Sequence, residues 1–163
     1  MLKPAILYKE ALKEAAKEIL LNPEEYKYWN RVNYITYNNF DISDEDEYRI
    51  IKRVSVDSSD KVRGYMCAYI DRTMNAVDCI SMLKFDLDHL SITFLRDLEE
   101  FFVYLTQHFR KVSFTCVVGN PAEKHYDRAI KKYHGRIVGI QKQEVRLIDE
   151  KLYDMKLYEI VKE

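Results

Sequence analysis

The sequence predicts an α+β fold on a mixed, mostly antiparallel sheet with one parallel crossover. Three observations carry this. Apolar residues recur at helical spacing near the start, they alternate over 48–85, and a helical stretch then separates two strand patterns. A strand, a helix and a further strand in that order imply a parallel crossover.

The first helix is expected from Pro4, which fits an opening turn where a missing N–H costs nothing. Tyr8, Leu12, Ala15, Ala16, Ile19 and Leu20 share one face, with Lys and Glu opposite. Asn22-Pro23 ends it, because the residue before proline avoids the helical region. A second short helix is expected over 23–32, with Tyr26, Trp29 and Val32 against the core. Residues 33–40 carry no clear pattern, and 41–47 (DISDEDE) read as an acidic connection. Strands follow at 48–57, 61–71 and 76–85, joined by turns at Ser58-Ser59-Asp60 and Thr73-Met74-Asn75 as a meander. Ile50, Lys52, Val54 and Val56 are placed on one face of the first of these. Phe94, Leu98, Phe101, Phe102, Leu105 and Phe109 mark a helix from Ser91 or Thr93 to Phe109. A strand over 111–118 places Val112, Phe114, Cys116 and Val118 on one side. Asn120-Pro121-Ala122-Glu123 then reads as a helix cap, a first-turn proline and a capping-box acid. That helix is expected to reach His134, with Gly135 in the left-handed position. Residues 136–161 close the fold as a hairpin turning near Asp149-Glu150.

Composition narrows the function. The 163 residues are 47% hydrophobic and 33% charged, which suits one globular domain over 1–163. Within it, 1–47 would be N-terminal helices and an acidic loop, and 48–163 the sheet core. Lys+Arg of 26 against Asp+Glu of 27 leaves a net charge of −1, so nothing draws the chain as a whole to nucleic acid or acidic membranes. No apolar run approaches the ~18 residues of a membrane span, and the first twenty residues lack the apolar core of a signal peptide. Cys67, Cys79 and Cys116 are widely spaced, which fits small buried residues in the cytoplasm rather than disulfides or a zinc site. His108, His125 and His134 have no ligand-like spacing, so no metal is expected. There is no GxGxxG, P-loop, GxSxG or HExxH.

Three stretches bear a resemblance: VRGYMCAYI with Gly64, the helix FLRDLEEFFVYLTQHF, and VSFTCVVGNPAEKHYDRAIKKYHG. Their content and order resemble the GNAT superfamily of acyl-CoA-dependent N-acyltransferases. The match is good over 48–160 and weaker before it, where the family's first strand has no evident counterpart. The resemblance implies helices on both faces of the sheet. It also implies acetyl-CoA or another acyl-CoA as cosubstrate, and a small-molecule or protein amine as acceptor. Tyr126 and Asn120 occupy positions similar to those of the family's frequent general-acid tyrosine and its asparagine, with a spacing one residue shorter than the commonest form. Backbone N–H groups at Leu83, Lys84 and Phe85 would hold the pantetheine and polarise the acyl carbonyl. The pyrophosphate cradle would fall at His89, Ser91, Ile92, Thr93 and Phe94. This cradle departs from the family pattern: Ile92 and Phe94 stand where glycines are expected, and Asp86 and Asp88 add negative charge.

Each residue also has a plainer reading. Tyr126 with Ile130 and Tyr133 suits an inner helix face, and Asn120 suits a cap. Asp78 would be either a general base or an edge carboxylate, and the acidic run 41–47 either attracts a cationic amine or is solvated surface. A second class therefore stands beside the acyltransferase: a noncatalytic GNAT-like binding or regulatory module. Nucleic-acid binding comes last. The aromatic N-terminal third would cover the core or form a partner surface, which leaves a homodimer open.

Overall fold

The computed structural model describes residues 1–29, 48–85 and 91–162. Seven strands form one sheet: β1 (Leu2–Pro4), β2 (Ile50–Val56), β3 (Val62–Asp71), β4 (Ala76–Lys84), β5 (Lys111–Val117), β6 (Arg136–Arg146) and β7 (Leu152–Val161). Their order across the sheet is β1-β2-β3-β4-β5-β7-β6. All neighbours are antiparallel except β4 and β5. The helices are α1 (Lys9–Leu21), α2 (Ile92–His108) and α3 (Glu123–Lys132).

β1 is an element the sequence did not reveal. It spans three residues, and Pro4 ends it, pairing with Arg53, rather than opening a helix. A short 3₁₀ turn over Ala5–Tyr8 intervenes before α1. Residues 23–29 are successive turns and not a helix, with Trp29 N–H donating to the Tyr26 carbonyl at 2.8 Å. The expectations for Val32, for 33–40 and for the acidic run 41–47 lie outside the described residues.

Both faces of the sheet are covered, so the strands bury residues on both sides. On one face α1 sets Leu12, Ala16 and Ile19 against Val54, Tyr65, Leu83 and Phe85. On the other, α2 and α3 set Phe94, Phe101, Phe102, Leu105 and Ile130 against Ile51, Met66, Phe114 and Tyr158. β2 thus buries Ile51 opposite Val54 and Val56. The buried stripe of α2 also contains Asp97, which is fully buried. Asp97 accepts a hydrogen bond from the equally buried Ser55 hydroxyl at 2.7 Å, and the Met1 amino group lies 2.7 Å from the same carboxylate oxygen.

Gly64 explains how α2 reaches the sheet. A Cβ there would fall 2.3 Å from the Phe94 ring and 2.7 Å from the Leu83 carbonyl oxygen. Only glycine leaves room for that ring in the first turn of α2.

The end of α3 differs from expectation. His134, with φ of 55°, takes the left-handed position. Its N–H donates to Lys131 O and the Gly135 N–H to Ile130 O, at 3.2 and 2.8 Å, the paired bonds of a Schellman ending. Gly135 is needed for a different reason: a Cβ would meet Ile130 Cδ1 at 2.5 Å and Glu159 O at 2.6 Å.

Candidate active site

β4 and β5 pair only at Ala76–Lys111 and Val77–Val112, with no further ladder pair between them. The split starts at a bulge. Tyr69 and Ile70 of β3 face Cys79 and Val77 of β4, which leaves Asp78 as an extra residue. A bulge bends its strand and raises its twist, so β4 turns away from β5 immediately after their last pair.

Beyond the bulge, residue parity decides which groups face the split. Phe85 N–H donates to Arg63 O at 3.0 Å, so Phe85 and Arg63 are a hydrogen-bonded antiparallel pair. Such pairs alternate along a ladder. Leu83 and Ser81 therefore also bond to β3, while the backbone groups of Ile80, Met82 and Lys84 point the other way, into the split. The side chains of Leu83 and Phe85 are buried against α1. Of the three N–H groups assigned to cofactor from the sequence, the fold aims one, that of Lys84, at the opening. It adds Ile80 and Met82, which no sequence signal marked.

The split holds a cavity of about 90 Å³. Cys79–Met82 of β4 and Thr115–Val117 of β5 form its walls, with Asn120, Tyr126, Met155, Tyr28 and Trp29 at its ends. Tyr126 comes from the α3 face, where its ring meets Phe114 edge-on at 6.0 Å and Tyr158 at 6.5 Å. Its hydroxyl has no hydrogen-bond partner among the described residues. Burial, followed by the neighbouring Cys116, pushes its pKa up, so the phenol holds its proton. Burial, with the Glu123 charge behind it, pushes the Cys116 thiol up to about 12, which keeps it an un-ionised wall residue.

Trp29 lies toward the α1 face and donates from Nε1 to Ser81 Oγ at 3.2 Å. Lys27, two residues earlier, pairs with Asp149 of the β6–β7 turn at 2.8 Å, and Tyr153 O–H donates to the same carboxylate oxygen at 2.6 Å. The strap formed by 23–29 is thereby tied to both β4 and the closing hairpin.

Asn120 lines the cavity, but it does not cap α3. Its Oδ1 accepts from Ala122 N–H at 2.9 Å, and α3 starts at Glu123 with Ala122 as cap residue. Glu123 Oε2 takes the N–H of Gly119 at 2.9 Å instead of that of Asn120. The left-handed Gly119, with φ of 88°, turns the chain one residue earlier than a capping box would.

At the other end, Ser91 caps α2 by accepting from Phe94 N–H at 3.2 Å. Phe94 is buried beneath the first turn. Ile92 is 76% exposed and Thr93 is half-buried. The Phe94 side chain therefore leaves the outer face of this helix end open, whereas Ile92 projects from it. His89, Asp86 and Asp88 lie outside the described residues. Asp78 is exposed and is not among the cavity residues. His108 stacks on Tyr104 at 4.3 Å, and among the described residues no three His, Cys, Asp or Glu side chains form a metal set. No helix of the described residues is long and apolar enough to cross a membrane.

The same overall fold recurs in solved structures. An acetyltransferase from Salmonella typhimurium that modifies the N-terminal serine of ribosomal protein L7/L12 superposes with a TM-score of 0.72 at 14% identity, over 99% of this chain and 94% of that one. The spermidine N-acetyltransferase from Vibrio cholerae, in complex with CoA and spermine, gives 0.71 at 13% identity over 99% and 94%. A GCN5-related N-acetyltransferase from Brucella melitensis gives 0.68 at 16% identity over 98% and 74%. The chain has the GNAT fold. No protein-family model and no curated protein matches it in sequence. The GNAT strand missing from the sequence reading is β1, and the parallel crossover lies where the alternation placed it.

Proposed function

We propose that the protein transfers an acetyl or related acyl group from acyl-CoA to an amine, by direct attack within the β4–β5 split. The observation that carries this reading is the split itself. It aims the backbone N–H groups of Ile80 and Met82 at the same cavity that the Tyr126 phenol lines. The pantetheine arm would run along β4, and the diphosphate would lie against the Ser91-capped end of α2, where N–H groups and the helix dipole favour an anion. Phe94 does not obstruct that end despite replacing a glycine, because Gly64 accommodates its ring inside the core. This favours the acyltransferase over the noncatalytic module.

In the reaction the nitrogen of a neutral amine bonds to the thioester carbonyl carbon. Backbone N–H groups of β4 take the charge that develops on oxygen. As the C–S bond breaks, Tyr126 gives its proton to the departing thiolate, and the proton lost by nitrogen passes to water. The raised pKa keeps Tyr126 protonated before the step, while a phenol so shifted gives up its proton less readily than one at the ordinary value. The acceptor amines named for the neighbours, spermidine and the N-terminal serine of a ribosomal protein, bracket the chemistry from small molecule to protein.

Calorimetric titration with acetyl-CoA and CoA tests the reading, followed by turnover with a panel of amines. We expect saturable micromolar binding that survives Tyr126→Phe, while kcat falls ~10²–10⁴-fold. No heat of binding at millimolar CoA would refute the proposal.

A further inference from the structure

The strap over 23–29 is held in an unusual way. The Lys27 ammonium lies 2.8 Å from an Asp149 carboxylate oxygen and faces two aromatic rings, 5.1 Å from the centroid of Tyr153 and 5.6 Å from that of Tyr28. The two rings meet edge-on, 6.4 Å apart and 77° to one another, as two walls of a corner. Tyr153 O–H steadies the carboxylate. Neither member of the ion pair is fully solvated: Lys27 is 25% exposed and Asp149 19%. One carboxylate and two ring faces around a –NH₃⁺ form a recognition site for an alkylammonium. Tyr28 belongs to this corner and also lines the cavity in the split. The cage therefore adjoins the proposed reaction space, on the side away from Tyr126.

We propose that the Asp149–Tyr153–Tyr28 cage is a binding subsite for an alkylammonium group, and that Lys27 occupies it as an internal stand-in until a ligand displaces it. Resting on the acyltransferase reading, this defines the acceptor. An ammonium beside a carboxylate keeps its proton and has no lone pair with which to attack. The nitrogen held in the cage is thus not the nitrogen that is acylated. The acceptor carries a second amine, which reaches the split while the first is anchored. Displacement of Lys27 also releases the strap from the closing hairpin, while Trp29 still ties it to β4.

The test omits CoA, so that its outcome is independent of acyl transfer. The full chain and Lys27→Met are titrated with n-butylammonium chloride, with n-butanol as neutral control and circular dichroism as the check on folding. Lys27→Met should bind n-butylammonium saturably and at least tenfold more tightly than the unmodified protein, and adding Asp149→Asn should abolish the gain. Equal affinity in Lys27→Met and the unmodified protein, or binding indifferent to Asp149→Asn, overturns the proposal. Should Lys27→Met fail to fold, acetic anhydride labelling of the unmodified protein decides the matter. Labelling of Lys27 relative to Lys151 should rise severalfold on adding N,N-dimethylbutylammonium, which the anhydride does not acylate stably, and no rise overturns the proposal. If the cage binds ammonium but no CoA binds, the acyltransferase reading fails alone; the reverse result removes only the cage.

Discussion

Replacing Gly64 by alanine tests whether the core and the end of α2 are coupled as described. The added methyl would sit 2.3 Å from Phe94 Cε2 and 2.7 Å from Leu83 O. Ordinary contacts begin near 3.4 Å, so the ring must retreat by roughly an ångström, since the backbone carbonyl of β4 is fixed in its ladder. Overpacking of this kind costs ~1–3 kcal/mol. If the ring leaves the core altogether, the lost burial of a phenylalanine is ~1.5–3 kcal/mol. Either route gives ~1–3 kcal/mol, a fall in Tm of roughly 2–12 °C for a chain of this size. Thermal unfolding followed by circular dichroism measures it. Phe94→Leu in the Gly64→Ala background should restore part of the loss, because the smaller side chain accommodates the methyl. A Tm for Gly64→Ala within about 1 °C of the parent, or a double variant whose losses simply add, would show that the Gly64–Phe94 approach does not matter.

Other outcomes follow from single features. His134→Gly should raise stability by ~1 kcal/mol, because it relieves a side chain held at positive φ at the end of α3; urea denaturation reads it. Asp97→Ala should cost ~1–3 kcal/mol in the same assay, since it leaves the buried Ser55 hydroxyl without its acceptor. Asp149 is held down to about 2 by hydrogen bonds from Lys27 and Tyr153, against an ordinary value of 3.8. A depressed carboxylate contributes its stability above its unfolded pKa and loses it as pH falls toward the folded one. The strap should therefore loosen between about pH 4 and pH 2, seen in Trp29 fluorescence, and Asp149→Asn should remove that transition. Alkylation at pH 8 should modify Cys79 before the buried Cys116, whose thiol is pushed up to about 12, and CoA should slow the reaction at Cys79, a wall of the split.

What the sequence revealed depended on how local each signal was. The apolar stripe of α2 and the alternation of β2–β4 repeat over enough residues to fix their element types. β1 has three residues, too few for alternation to register, and it becomes a strand only because β2 offers it an edge. Asp97 disappears from a pattern reading because a carboxylate on an apolar stripe looks like a lapse until Ser55 is seen opposite. Asn120 and Glu123 were the right residue types for a cap, yet Gly119 and Pro121 gave them different N–H partners. Tyr126 could be placed on a helix from the sequence, but the cavity it lines could not. That cavity depends on strand pairing, as does the meeting of Lys27 with Asp149.

The bulge at Asp78 has a consequence for how the chain tolerates insertion and deletion. In a strand every position is even or odd, and one extra residue exchanges the two classes from that point onward. The bulge makes that exchange at Asp78, so deleting Asp78 would set Val77 beside Cys79, opposite the adjacent Ile70 and Tyr69, and would leave Ile80, Met82 and Lys84 in their present register with β3. A second deletion in the same strand would find no spare residue to absorb it, and the part of the strand beyond it would change faces. β4 should therefore accept the loss of one residue at the bulge, along with the bend it makes, and reject a second, a rule of arithmetic that residue identity alone would not disclose.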